Sequence, residues 1–203
     1  MTFLHRFEIF AGLALVALSL VATPASTAQT VISNETLVTT TFVVNKTSVT
    51  ARCKNTGCRA KTQMFAPIPV TCPAATGHTC TFHISLDAKV LVSFHCGSQG
   101  CFGSGPQGSY QFLVDDAAPT IGPTDGNGSY IFENGVFTSS DDLKGALKTR
   151  QSYPASVLAA VTNSGSNSHT IVVNVGCQDT KGTTLGCEAT SHWSTMRVDV
   201  FEP

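Results

Sequence analysis

Apolar and polar residues alternate with a period of two through most of this chain. Phe82, Ile84 and Leu86 form one such set, and Val90, Val92 and Phe94 form a second. Tyr110, Phe112 and Val114, then Ile171, Val173 and Val175, then Met196, Val198 and Val200 repeat the pattern. Successive residues of a strand point to opposite faces, so each set predicts a strand with one face buried. The valine- and threonine-rich stretch LVTTTFVVNKTSVT adds one or two strands, and SYPASVLAAVT adds another, with Pro154 confined to its start or to a sheet edge. The total is about eight to ten strands. GSQGCFGSGPQGS, DDAAPTIGPTDGNGS and NSGSNSH read as loops, because their glycine, proline and asparagine supply turns. One helical turn is expected, in SSDDLKGALKTR, where Ser139 and Asp142 fit a capping box and Leu143 and Leu147 lie one turn apart. Many strands without βαβ alternation predict an all-β fold, an antiparallel β-sandwich or jelly roll.

The best-specified local expectation is a hairpin. A three-residue loop at Asp87, Ala88 and Lys89 would set Leu86 against Val90, Ile84 against Val92 and Phe82 against Phe94, all on one face. Cys80 would then fall opposite Cys96.

The first residues break the β pattern. Arg6, an apolar run from Ile9 to Ala22 and the small residues Ser26, Thr27 and Ala28 make up the pattern of a cleavable secretory signal over 1–28. The mature chain is expected to begin at Gln29 and to form a single β-sandwich domain over 29–203. The apolar run is shorter than the roughly 20 residues of a membrane-spanning helix, so no membrane anchor is expected. Localisation is read as secreted and extracellular. Charged residues are 12% of the chain, against about 25% in an average soluble domain, and the formal net charge is -1. A nucleic-acid partner would need a basic stripe, and the sequence has none.

That leader changes the meaning of the eight cysteines, Cys53, Cys58, Cys72, Cys80, Cys96, Cys101, Cys177 and Cys187. An even number in an exported chain predicts a disulfide framework. Loop-closure cost favours nearest neighbours: Cys53 with Cys58, Cys72 with Cys80, Cys96 with Cys101, and Cys177 with Cys187. The hairpin register offers an alternative, Cys80 with Cys96 and Cys72 with Cys101. Zinc on His95, Cys96 and Cys101 would need a fourth ligand and reduced thiols, so those cysteines are read as a loop staple.

Candidate chemistry is sparse. The hairpin would set His83 and His95 diagonally on its outer face, where two imidazoles could share a metal ion if a third ligand joined them. With no such ligand in view they are read as solvated, and no cofactor is expected. Asp125, Asn127, Ser129 and Glu133 alternate as in a calcium loop, but Tyr130 and Val136 stand where an EF-hand needs glycine and glutamate, so a turn is expected. Asn34, Asn45 and Asn127 each open a glycosylation sequon. Asp115-Asp116 and Asp141-Asp142 are expected to cap loops. No Gly-x-Ser-x-Gly elbow, His-Glu-x-x-His or phosphate-cradling loop occurs, and no catalytic residue is assigned.

Among secreted cysteine-rich and β-sandwich families, hydrophobins carry Cys-Cys doublets that this chain lacks. Copper-dependent polysaccharide oxygenases start on a histidine where this chain has Gln29. The run SYPASVLAAVTNSGSNSHTIVVNVGC with the closing MRVDVF resembles the late strands of jelly-roll modules of the tumour-necrosis-factor and C1q type. The resemblance covers under a quarter of the chain and implies the fold, with partner binding and a homo-oligomer as expectations. The functional expectation is a non-enzymatic extracellular binding or structural module with a protein or glycan ligand. The alternative is a carbohydrate-binding or carbohydrate-active protein, with Trp193, Tyr110, Tyr130 and Tyr153 as sugar-stacking candidates.

Overall fold

A computed structural model describes residues 35–54, 57–95, 103–119, 124, 126–137, 146–179 and 186–203. The expected signal segment, Asn34, Cys96, Cys101, Asp125 and the Ser139–Asp142 capping box lie outside the described residues.

Ten strands follow in order: β1 Thr36–Asn45, β2 Val49–Cys53, β3 Arg59–Gln63, β4 Ile68–Thr71, β5 Thr79–His95, β6 Gly103–Val114, β7 Ser129–Phe137, β8 Ala146–Thr162, β9 Ser168–Asp179 and β10 Gly186–Glu202. Every pairing between them is antiparallel, and no helix occurs among the described residues. The first sheet runs β1-β10-β5-β8, with β2 beside β1 along the same edge of β10. The second runs β3-β9-β6-β7, with β4 beside β3 along the same edge of β9. Taking β1 with β2, and β3 with β4, as interrupted single strands leaves eight positions. First then pairs with last, second with seventh, third with sixth and fourth with fifth. This is a long hairpin rolled into two sheets, the jelly roll.

The predicted hairpin is overturned. β5 passes straight through Asp87, Ala88 and Lys89 and pairs with β8 from Thr79 to His95 and with β10 on its other side. Ala88 is as buried as its even-numbered neighbours Phe82, Ile84, Leu86, Val90, Val92 and Phe94. A three-residue loop and a three-residue stretch of strand both preserve parity, so the period-two pattern could not separate them. Asp87 and Lys89 resembled turn residues because they occupy the outer face. The inward set was read correctly, and its partners were not.

Those side chains meet Met196, Val198 and Val200 of β10, and across the sandwich Tyr110, Phe112 and Val114 of β6 with Ile171, Val173 and Val175 of β9, in one core. Full burial of each large apolar side chain contributes about 1.5 to 3 kcal/mol. The sheets touch closely at Gly108, where an added Cβ would lie 2.8 Å from the Phe132 ring and 3.1 Å from Val92. β10 changes parity once. Cys187, Ala189 and Ser191 face inward before a register shift between Ser191 and Trp193, and Ser194, Met196, Val198 and Val200 do so after it. That extra residue is a β-bulge.

Two further expectations fail. Ala146–Arg150, the end of the expected helical turn, are strand in β8 and pair with β5, while 139–145 lie outside the described residues. Gly103–Ser109, expected as loop, open β6, which follows β9 despite its glycines and breaks register twice against β7. Pro154 sits within β8, an edge strand, as the sequence required.

Disulfides join Cys53 to Cys58, Cys72 to Cys80 and Cys177 to Cys187, with Cα separations of 6.0, 5.8 and 6.0 Å. This removes the Cys80–Cys96 and Cys72–Cys101 alternative, because the strand that was to fold back does not. Each of the three spans a passage from one sheet to the other: β2 to β3, β4 to β5 and β9 to β10.

Candidate binding face

The register fixes the outer face of the first sheet. Thr40, Asp199, His83 and Leu158 stand side by side on β1, β10, β5 and β8; Phe42, Arg197, Ser85 and Ser156 form the next row; Val44, Thr195, Asp87 and Pro154 the third. A fourth row carries Trp193, Lys89 and Ser152. A depression of about 580 Å³ lies here, lined by Phe42, Ser85, Asp87, Pro154, Ser156, Thr195 and Arg197, with Tyr130 reaching it from β7. Phe42 is 63% exposed and Trp193 is 39% exposed.

Polar groups on this face are held by one another. Arg197 Nε donates to Asp199 Oδ1 at 2.9 Å, and Thr40 Oγ1 donates to the same oxygen at 2.6 Å. The Asp199 carboxylate is buried and Arg197 is largely exposed. The pair therefore orients a cation at the surface. Ser152 Oγ donates to Asp87 Oδ1 at 2.6 Å. His83 Nε2 lies 2.6 Å from Ser156 Oγ and 3.4 Å from Ser85 Oγ.

Ser156, His83 and Asp199 come from three neighbouring strands, so a nucleophilic triad has to be considered. Asp199 spends Oδ1 on Thr40 and Arg197, and no hydrogen bond joins it to His83. The imidazole thus lacks the orienting partner that such chemistry uses. The amides of β5 and β10 are taken up in sheet ladders on both sides, which removes them as oxyanion donors.

The metal candidate separates. His83 and His95 lie near opposite ends of one strand, twelve residues and about 40 Å apart at the usual rise per residue. They cannot share an ion. Among the described residues no group of three or more His, Cys, Asp or Glu could hold a metal. Asn127 is exposed in a turn, and its carbonyl accepts from Gln111 Nε2 at 2.8 Å. Asn45 is pinned, its Nδ2 donating to the Met64 carbonyl and its Oδ1 accepting from Thr47 N at 2.8 Å.

Two of the four aromatic candidates are core residues. Tyr110 is fully buried, donates to the Tyr153 carbonyl at 3.0 Å, and has its phenol pKa pushed far up by burial. Tyr153 is buried and stacks against Phe132, ring centroids 4.4 Å apart. Period two predicted burial of Tyr110 correctly, which is incompatible with sugar stacking. Trp193 and Tyr130 remain, both at the depression or beside it. Phe42, Arg197, Asp199 and Ser156 were missed. Their outward direction was readable from alternation with buried neighbours, whereas the adjacency of segments near 40, 85, 156 and 197 is a property of the rolled topology.

Asp115 and Asp116 do form a turn, with φ of 50° and 63° and a bridge between Val114 and Ala117. Asp115 also accepts from Thr170 N at 2.8 Å and pairs with His169 Nδ1 at 2.7 Å.

The sequence matches no family model and no curated protein. Among solved structures it is similar to the infectious bursal disease virus Gx strain, at 8% identity and a TM-score of 0.26, over 82% of this chain and 37% of that one. The VP2 subviral particle of the same virus gives 9% identity and a TM-score of 0.18, over 84% and 41%. This chain spans less than half the length of either.

Proposed function

We propose that this chain is a secreted, disulfide-stapled jelly-roll module that binds an extracellular ligand on the outer face of its first sheet and does not transform it. The observation that carries the reading is the depression shared by four strands, in which exposed Phe42 lies beside an Arg197 guanidinium fixed by buried Asp199. Apolar surface with a few oriented polar groups is the usual make-up of a ligand site. Export is supported by the leader pattern and by cysteines paired across short loops.

A carbohydrate ligand is the second reading, favoured by Trp193 in the row beside the depression and by Ser85, Ser156 and Thr195 hydroxyls among its lining residues. Sugar rings take aromatic faces and hydroxyl partners together.

The test uses the secreted protein on a glycan array and on a panel of extracellular proteins, with Arg197→Ala and Trp193→Ala beside the unaltered chain. Loss of at least about ten-fold in affinity with Arg197→Ala supports the face. A ligand held equally by all three chains overturns it. Glycan binding weakened by Trp193→Ala selects the second reading. Intact mass should place the mature start at or near Gln29 and find no alkylatable thiol.

A further inference from the structure

A free sheet edge presents unpaired N–H and C=O groups, and proteins blunt such edges with proline, charge or irregular pairing. Four of the edge segments here carry such a device. β8 has Pro154, β4 has Pro69, β3 has exposed Arg59 and Lys61, and β7 meets β6 through two register shifts. β2 carries Arg52, paired to Glu188 at 2.6 Å. β1, TLVTTTFVVN, contains no charge, no proline and no glycine. It has one bulge near its start, between Leu37 and Thr39, and pairs regularly with β10 from Thr39 to Asn45. Four of the six large apolar side chains left exposed among the described residues, Leu37, Val38, Phe42 and Val44, lie on this strand.

We propose that β1 is a homodimer edge, pairing antiparallel with β1 of a second copy so that the two first sheets become one. An edge strand pairing across a twofold axis must be its own complement. A charged strand would set like charges against each other, whereas this one brings only threonine, valine and phenylalanine together, which are favourable cross-strand partners. A foreign strand would be selected by charge, and β1 carries none to select with. The register that pairs the whole regular stretch Thr39–Asn45 with itself places the axis at Phe42. Thr40 then faces Val44 of the second copy, Thr41 faces Val43, and the most exposed apolar side chain of the strand lies beside its own twin on the shared outer face. Even spacing about that axis keeps outer faces contiguous, as a continuous sheet requires.

Sedimentation velocity of the secreted protein across the micromolar range tests this, with Phe42→Lys and Phe42→Glu made in parallel. The unaltered chain should show a reversible monomer–dimer equilibrium. Each variant alone should dimerise at least about ten-fold more weakly, because like charges meet at the axis, and mixing the two should restore dimers. Phe42 is exposed, so both should fold; independently, the β1 amides not bonded to β10 should gain protection from hydrogen exchange in the unaltered protein as its concentration rises. A monomer over the whole range, a dimer or trimer indifferent to Phe42→Lys, or no recovery on mixing would overturn the proposal.

Discussion

The two ends of the sandwich are closed by different means. At the end where β2 and β9 finish and β10 begins, Cys53 and Cys187 are register partners, so the Cys53–Cys58 and Cys177–Cys187 bridges lie on adjacent strands. Backbone is packed tightly there as well, since a Cβ on Gly186 would come within 2.4 Å of the Cys53 carbonyl oxygen. At the opposite end one bridge, Cys72–Cys80, is joined by a polar hub at buried Asn163. Its Nδ2 donates to the Ala74 carbonyl at 2.7 Å and its Oδ1 accepts from Gly165 N at 2.9 Å. Its backbone N–H donates to His78 at 2.9 Å and its carbonyl accepts from Gly77 at 2.7 Å. A covalent staple acts largely on the unfolded chain, by restricting it. A hydrogen-bonded hub acts on the folded one, and its worth depends on every member finding a partner. The first end is therefore sensitive to reductant and the second to substitution.

The largest effects should fall on the core both ends share. Phe82→Ala, near the hub, and Phe94→Ala, near the paired bridges, should each cost about 3 to 5 kcal/mol in urea unfolding, since both rings are fully buried. A cost under about 1 kcal/mol at Phe94 alone would mean that the staples hold that end without its core. Next comes the joint change Cys177→Ala and Cys187→Ala, expected to cost about 2 to 4 kcal/mol. Limited proteolysis of that variant should cut at the stapled end first; cutting at the hub end would reverse the comparison. Asn163→Ala leaves the Ala74 carbonyl without its side-chain donor and should cost about 1 to 3 kcal/mol, with the disulfides intact by mass. Smallest, and of opposite sign, is Asp116→Gly, which relieves a left-handed residue and should raise stability by about 1 kcal/mol. A melting temperature lowered by that change would show that the Asp116 side chain, rather than its backbone, matters to the turn.

Period-two alternation named the inward faces of β5, β6, β9 and β10 and with them most of the core, because burial on a strand is written locally. Partner choice is written elsewhere. The Thr40–Asp199 bond joins residues 159 apart in sequence, and nothing near either position announces the other. The candidate face is assembled wholly from such distant rows, so Phe42 and Arg197 passed unremarked while Trp193 and Tyr130, noticed only as aromatics, came to lie near them. Disulfide pairing fell between these cases. The three short links were legible from loop length, and the long alternative depended on a turn at Ala88 that a buried alanine in mid-strand removes.

The position of β10 sets the order in which the first sheet can be completed. The latest of the ten strands in sequence, it lies inside the first sheet, between β5 on one side and β1 with β2 on the other. During synthesis β1, β2 and β5 must wait for β10, and until then three ladders stand open. A chain released before residue 186 would expose the uncharged β1 and the long β5 together. Such fragments should be aggregation-prone and open to proteases, so β10 acts as the latch of the first sheet.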